Sequence, residues 1–235
     1  MIPLSPRLLT CASMITGRTV CDIGTDHAYL PVWLIQSGKA DRVIASDIRK
    51  GPLRAAEETV RRFGFSRSIE LQLSDGFTGI RTEGITDVVI AGMGGETIRD
   101  ILSADAAAFL KSGVSLVLQP MTKAEILRIW LAENGFSVMR ETAVKDHKVY
   151  CIMQAVYSGI RRRISEAESF CGKLNPAEPM TRVYIADVQK RLISRAEGME
   201  SAGNTDEAGN VRKLISEISN YLYHTEETDE NTANI

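Results

Sequence analysis

Three carboxylates fall at or just beyond the ends of two apolar runs, and their spacing describes a pocket. The run Val20-Cys-Asp-Ile-Gly-Thr-Asp-His-Ala-Tyr-Leu-Pro31 places Asp22 and Asp26 on either side of Gly24. About one βα unit later, Arg42-Val-Ile-Ala-Ser-Asp47 ends in a third acid. A glycine after a strand lets a ligand approach the backbone, and an acid closing the next strand can hold a ribose diol. A nicotinamide site would want G-x-G-x-x-G, so that a pyrophosphate rests on the helix N-terminus. Here Gly24 stands alone, Thr25, Asp26 and His27 fill the turn, and Asp22 and Asp26 would repel phosphate. Carboxylates there suit a ligand carrying an ammonium and a sulfonium, and S-adenosyl-L-methionine is such a ligand. The bland alternative is an ordinary polar βα turn, and Asp47 in register argues against it.

Further candidates fall at the same strand ends. Asp75-Gly76, past the third apolar run, sits where an acid can accept from the exocyclic amine of adenine; a simple Asp-Gly turn is the competing reading. Asp87-Val-Val-Ile-Ala-Gly-Met-Gly-Gly95 runs a buried strand straight into Gly92, Gly94 and Gly95, and bare backbone there would let a flat base and a cofactor lie close. Gln119 in Leu118-Gln-Pro120 offers both a donor and an acceptor, for a base or for capping a loop. His27 is the only histidine near the pocket, and Tyr29 either stacks on a ligand or packs beneath the first helix. His147 and His224 carry no argument.

The elements that must position these residues alternate regularly. Continuous apolar strands are expected over 19–24, 42–47, 68–73, 87–91 and 115–119, with helices over 4–15, 29–37, 52–63, 96–102 and 123–134. Uninterrupted apolar runs of this kind belong to a parallel sheet covered on both faces. Two long strands then follow at 136–145 and 148–157, separated by Asp146-His147, a hairpin signal. The fold class expected is therefore α/β: a Rossmann-like class I methyltransferase sheet with a terminal antiparallel hairpin, plus a C-terminal α-helical, coiled-coil-like domain.

The bulk composition is compatible with this and restricts the rest. A chain of 235 residues holds one α/β domain and a smaller appendage. At 44% hydrophobic, 25% charged and a net charge of −2, it has an ordinary globular profile that neither favours nor excludes nucleic acid. Cys11, Cys21, Cys151 and Cys171 form no C-x-x-C pair, so neither a zinc site nor a disulfide framework is expected, and buried small hydrophobe is the reading for Cys21 and Cys151. No metal, no membrane span and no signal peptide are expected, and the localisation expected is cytoplasmic. After residue 158 two amphipathic helices, over 178–199 and 207–224, are expected to pair through Met180, Tyr184, Val188, Leu192 and Met199 on one, and Val211, Leu214, Ile215, Ile218, Tyr221 and Leu222 on the other. The expected organisation is 1–157 for the cofactor domain, 158–226 for the helical hairpin and 227–235 for a disordered acidic tail.

The motifs Asp22-Ile-Gly-Thr-Asp-His-Ala-Tyr-Leu-Pro31, Gly51-Pro52, Ser74-Asp-Gly76, Ile90-Ala-Gly-Met-Gly-Gly95 and Leu118-Gln-Pro120 occur in an order that resembles the bacterial tRNA (adenine-22)-N(1)-methyltransferases, the TrmK family. The resemblance implies methyl transfer from S-adenosyl-L-methionine to N(1) of an adenine in the D-arm region of tRNA. It departs at Met121, where family members often carry Asn. The cofactor contacts expected are Asp22, Gly24, His27, Tyr29, Asp47, Ile48, Asp75, Gly76, Ala91 and Gly92. The substrate contacts expected are Met93, Gly94, Gly95, Gln119, Arg161, Arg162, Arg163, Lys190 and Arg191, with Asp26 as the catalytic candidate. The three arginines are expected at the root of the helical hairpin, beside the site. A class I methyltransferase acting on another RNA or a small molecule is the alternative, and a binding protein with a decayed site a weaker one.

Overall fold

The computed structural model describes residues 1–109 and 113–230, with side chains described except at 105–109 and 221–230. Seven strands form one sheet in the order β3-β2-β1-β4-β5-β7-β6. β1 (Thr19–Ile23), β2 (Arg42–Asp47), β3 (Ile69–Leu73), β4 (Asp87–Gly94) and β5 (Ser115–Thr122) run parallel. β7 (Lys148–Tyr157) lies antiparallel between β5 and β6 (Phe136–Asp146), as the hairpin signal required. His147 turns that hairpin with φ 58°, in the left-handed region.

Each strand of the sheet's centre is apolar on both faces because both faces are covered. On one side Val20, Val89, Val117 and Ile152 pack beneath α1 (Pro6–Met14), α2 (Tyr29–Gln36) and α3 (Lys50–Phe63). On the other, Cys21, Ile90, Leu118 and Met153 pack beneath α4 (Gly95–Phe109) and α5 (Ala124–Glu133). Pro6 opens α1 at a position where its missing N–H costs nothing. All four cysteines are free and buried, Cys21 and Cys151 within strands.

The structure departs from the expected boundaries where it matters for the site. β4 and β5 do not stop at Ala91 and Gln119 but continue to Gly94 and Thr122, so Gly92 and Gly94 are strand residues. α4 runs past residue 102 to Phe109. A short helix, α6 (Glu166–Cys171), was absent from the expected list, although Ser165-Glu-Ala-Glu168 spells a capping box: the Ser165 hydroxyl accepts from the Glu168 N–H at 3.0 Å. α7 (Pro179–Ser201) and α8 (Thr205–Glu230) form the helical hairpin. α8 continues through residues 227–230, where the disordered tail was expected to begin; 231–235 lie outside the described residues. The side chains of Tyr221, Leu222 and His224 likewise lie outside them. No helix among the described residues is long and apolar enough to cross a membrane.

The hairpin's apolar stripes bury against each other and also against the sheet. Tyr184, Ile185, Val188 and Leu192 of α7 and Val211, Leu214 and Ile218 of α8 join the same buried layer as Leu118 and Met153. A buried ion pair ties this region further. Arg128 of α5 donates Nε to Glu141 Oε1 of β6 at 2.9 Å and Nη1 to the Ser169 carbonyl of α6 at 2.6 Å. Glu141 Oε2 accepts the Lys173 N–H at 2.9 Å. Gly172 is needed there, because its φ is +64° and a Cβ would lie 2.1 Å from that same oxygen. Removing one partner strands the other charge without water. Glu141→Ala should therefore lose about 3–5 kcal/mol of stability in chemical denaturation, and the apolar pair Arg128→Met with Glu141→Leu should recover most of it.

Candidate active site

A cavity of about 310 Å³ opens at the C-terminal ends of β1, β2 and β4, beneath α1. The turn after β1 supplies most of its wall: Asp22, Gly24, Thr25, Asp26, His27, Tyr29 and Leu30 line it. Asp47 and Arg49 close one side, residues 91–93 of β4 the other, and Arg7 and Leu8 descend from α1. Open α/β sheets bind ligands at this edge, where β1 lies between β2 and β4 and the chain crosses over in opposite directions.

The turn itself is under conformational constraint. Gly24 has φ +79°, and Asp26 and Ala28 hold φ 51° and 56°, unfavourable for side chains with a Cβ. Backbone held this way at a cavity rim marks a site in which position is worth more than stability. Asp26 is 61% exposed, with Oδ2 3.7 Å from His27 Nε2. The His27 ring stacks on Tyr29 at 5.3 Å between centroids and 13° between planes, which leaves an aromatic surface at the rim. Below the rim, Asp22 is buried, and that burial, with the charge of Asp47 adding to it, pushes its carboxyl up to about 6. Asp47 is also buried, and its Oδ1 accepts the Arg49 N–H at 2.8 Å, which orients the carboxylate.

The opposite wall rests on a break in the sheet. Between Ala91 and Met93 the β4–β5 register slips, and Gly92, at φ +85°, turns its N–H out of the ladder. Gln119, fully buried, takes that N–H on Oε1 at 3.0 Å. The same oxygen accepts Arg7 Nη1 at 2.6 Å, while Nε2 donates to the Pro120 carbonyl at 3.0 Å. Arg7 Nε is also 3.7 Å from Asp146 Oδ2, at the tip of the β6–β7 hairpin. The guanidinium is thereby held over Gly92, where a Cβ would lie 3.5 Å from Nη1.

Several expectations are corrected by this geometry. Gln119 is not free to read a base, because both ends of its amide are engaged inside the protein. Of the three glycines, only Gly92 lines the cavity. Gly95 starts α4 against the Lys123 carbonyl, which a Cβ would approach to 2.2 Å, so its bareness serves packing; Gly94 lies beside Thr122, outside the cavity lining. The space a Cβ would take at Gly24 is filled by the Met93 methyl, 2.1 Å from that position, and not left for a ligand. Ile48, Asp75 and Gly76 follow β2 and β3 on the correct edge but stand outside the lining, Ile48 exposed, although the Ser74 N–H donates to the Asp47 carbonyl and brings that loop alongside.

Arg161, Arg162 and Arg163 lie at the far edge of the sheet. β7 runs antiparallel, so its end at Tyr157 pairs with Phe136 and lies near the start of β5, away from the cavity. Arg162 there binds Glu168 at 2.6 Å. Lys190 and Arg191 of α7 line a separate cleft. The residues that sequence reasoning missed are Arg7, Leu8, Thr25, Leu30 and Arg49. Thr25 and Leu30 lie within a motif already singled out and Arg49 lies two residues past Asp47, whereas nothing local marks Arg7, whose partner Gln119 is 112 positions away. Replacing Gln119 by Leu strands the Gly92 N–H and one arm of Arg7, and should cost about 1–3 kcal/mol of stability in denaturant titration.

Comparison with known proteins agrees with this arrangement. A methyltransferase-domain family model matches residues 4–153. The tRNA (adenine(22)-N(1))-methyltransferase of Bacillus subtilis is 34% identical over 168 residues, covering 68% of this chain and 70% of that protein. The crystal structure of the B. subtilis m1A22 tRNA methyltransferase TrmK superposes with a TM-score of 0.80 at 26% identity, over 93% of this chain and 99% of that one. Mycoplasma capricolum TrmK, solved with S-adenosyl-homocysteine, superposes with a TM-score of 0.77 at 26% identity, over 93% and 97%. The agreement extends through the C-terminal helices and therefore goes beyond the shared sheet. The chain belongs to the tRNA (adenine(22)-N(1))-methyltransferase family.

Proposed function

We propose that this chain transfers a methyl group from S-adenosyl-L-methionine to N(1) of the adenine at position 22, in the D-arm region of tRNA. The observation that carries the proposal is the cavity wall: three carboxylates, Asp22, Asp26 and Asp47, share one cavity with two guanidiniums, Arg7 tethered to Gln119 and Arg49 beside Asp47. A dinucleotide needs its phosphates cradled, and acids in the turn oppose that. An amino acid attached to a ribose needs acids for its ammonium and diol and a cation for its carboxylate. The donor set fits S-adenosyl-L-methionine, which supplies an electrophilic methyl group on sulfur.

The residues then take complementary roles. Asp47, oriented by the Arg49 N–H, accepts from the ribose hydroxyls. Asp22 holds the ammonium, and Arg7 is placed for the carboxylate. The N(1) lone pair of neutral adenine is itself the nucleophile, so the protein's main work is alignment and a suitable field. N(1) is hidden in a Watson–Crick pair, so the base must enter unpaired or flipped, and the stacked His27–Tyr29 rim offers it an aromatic surface. Asp26 beside that rim stabilises the cationic product base. A tRNA substrate and buried, free thiols both fit a cytoplasmic protein.

Two measurements test this reading. Reverse transcription of treated tRNA should stop or misincorporate at one adenine in the D-arm; a methylated guanine or uracil, or no tRNA product, would refute the assignment. The second uses the raised Asp22 carboxyl, at about 6 in the free protein. The ammonium prefers the ionised form, so cofactor affinity should rise with pH through 6 and be about tenfold weaker at pH 5 than at pH 7.5 by calorimetry. Asp22→Asn should weaken binding and flatten that profile. Burial penalises the charged form of Asp22, whose folded value lies above its unfolded one. The same variant should therefore gain roughly 1–3 kcal/mol of stability near neutral pH, a gain that fades as the pH falls from about 6 and is lost by about 4.

A further inference from the structure

A second cavity, of about 280 Å³, lies beside the first, between the C-terminal end of β5, the start of β7 and one face of α7. The two adjoin across a single strand step. Met93 lines the first and pairs in register with Pro120, which lines the second together with Met121 and Thr122. Neighbouring strands are about 4.8 Å apart, so a chain leaving the first cavity along this edge enters the second at once.

The lining of the second cavity is cationic and comes from separate elements. Lys148 begins β7, and Lys190 and Arg191 lie on α7. Lys148 and Lys190 are exposed and carry no ion pair among the described residues, whereas Lys123, on the same wall, is taken by Glu96. A solvated helix face would give cations on one element; here they converge on a concave site from a strand and a helix. Tyr150, half-buried, lies on the wall between them, and Asp187 is the one carboxylate in the lining.

We propose that this cleft holds the tRNA nucleotides flanking the target adenine. The proposal rests on the reading of the first cavity as the methylation site. Lys148 and Lys190 bind backbone phosphates, Tyr150 offers a base a face to stack on, and Asp187 supplies the acceptor that a ribose 2′-hydroxyl needs. It moves the tRNA track from Arg161, Arg162 and Arg163, at the far edge of the sheet, to the hairpin tip and α7. It also gives the helical hairpin a functional reason to pack on the sheet beside the active site.

The test is the Lys148→Ala/Lys190→Ala variant of the full chain, compared with Lys39→Ala, which removes a half-buried lysine preceding β2 at the opposite edge of the sheet. The double variant should raise KM for tRNA about tenfold or more, leave kcat within about twofold and leave S-adenosyl-L-methionine affinity unchanged. The slope of log Kd for tRNA against log salt should fall in magnitude by about 1.5, the loss of two phosphate contacts. Lys39→Ala should behave as the parent. A double variant indistinguishable from Lys39→Ala overturns the cleft, and so does one whose kcat and cofactor affinity fall together, which marks a structural role. A parent protein that methylates no tRNA fails at the earlier step and refutes the function itself.

Discussion

The buried carboxamide of Gln119 is the contact on which the shape of the active cavity depends. A β-sheet closes over its own polar groups, so a strand can expose backbone to a ligand only by leaving the ladder. β4 does this at Gly92, and the freed N–H would be an unsatisfied buried donor without a replacement acceptor. Gln119 Oε1 supplies it and takes Arg7 at the same time. One side chain therefore maintains the bulge, holds Arg7 in place and joins α1 to β5. A glutamate at this position would bury a charge, and a shorter amide would not reach both donors.

The electrostatic character of the cavity follows from the same economy of contacts. Asp22 and Asp47 are both buried at neighbouring strand ends, and burial makes the ionised form of Asp22 unfavourable in the free protein. Such an arrangement is a cost that a cationic, diol-bearing ligand offsets on binding. The left-handed backbone at Asp26 and Ala28 belongs to the same pattern: the turn after β1 sacrifices local stability to hold carboxylates and rings at fixed positions.

Elsewhere the sheet acts as a two-sided support. The hairpin of β6 and β7 reverses chain direction, which has two consequences. Its tip returns to the active edge, where Asp146 reaches Arg7, and its far end carries Arg161, Arg162 and Arg163 to the opposite edge. The long helices then cross back over the sheet, anchored by the buried Arg128–Glu141 pair and by the apolar stripes of α7 and α8. The C-terminal helices are thus part of one continuous interior with the sheet and also border the second, cationic cleft.

Much of this was legible in the residues alone, and the division has a physical basis. Alternating apolar runs and breakers are set by local preference and burial, so the parallel strands, the helices between them and the terminal hairpin could be read directly, as could the acidic single-glycine turn that excludes a dinucleotide. Asp22, Asp26, His27, Tyr29, Asp47 and Gly92 all reached the cavity because strand ends in a parallel sheet share one edge. Tertiary structure decided what depended on contacts between distant segments. It alone brought Arg7 to Gln119, sealed that amide away from any base, assigned Gly95 to packing and filled the space beside Gly24 with Met93. It alone sorted the basic residues between the two edges of the sheet, because a reversal of strand direction changes which end of a segment faces the site. Sequence patterning records which residues are buried and in what element; only the folded chain determines which of them meet.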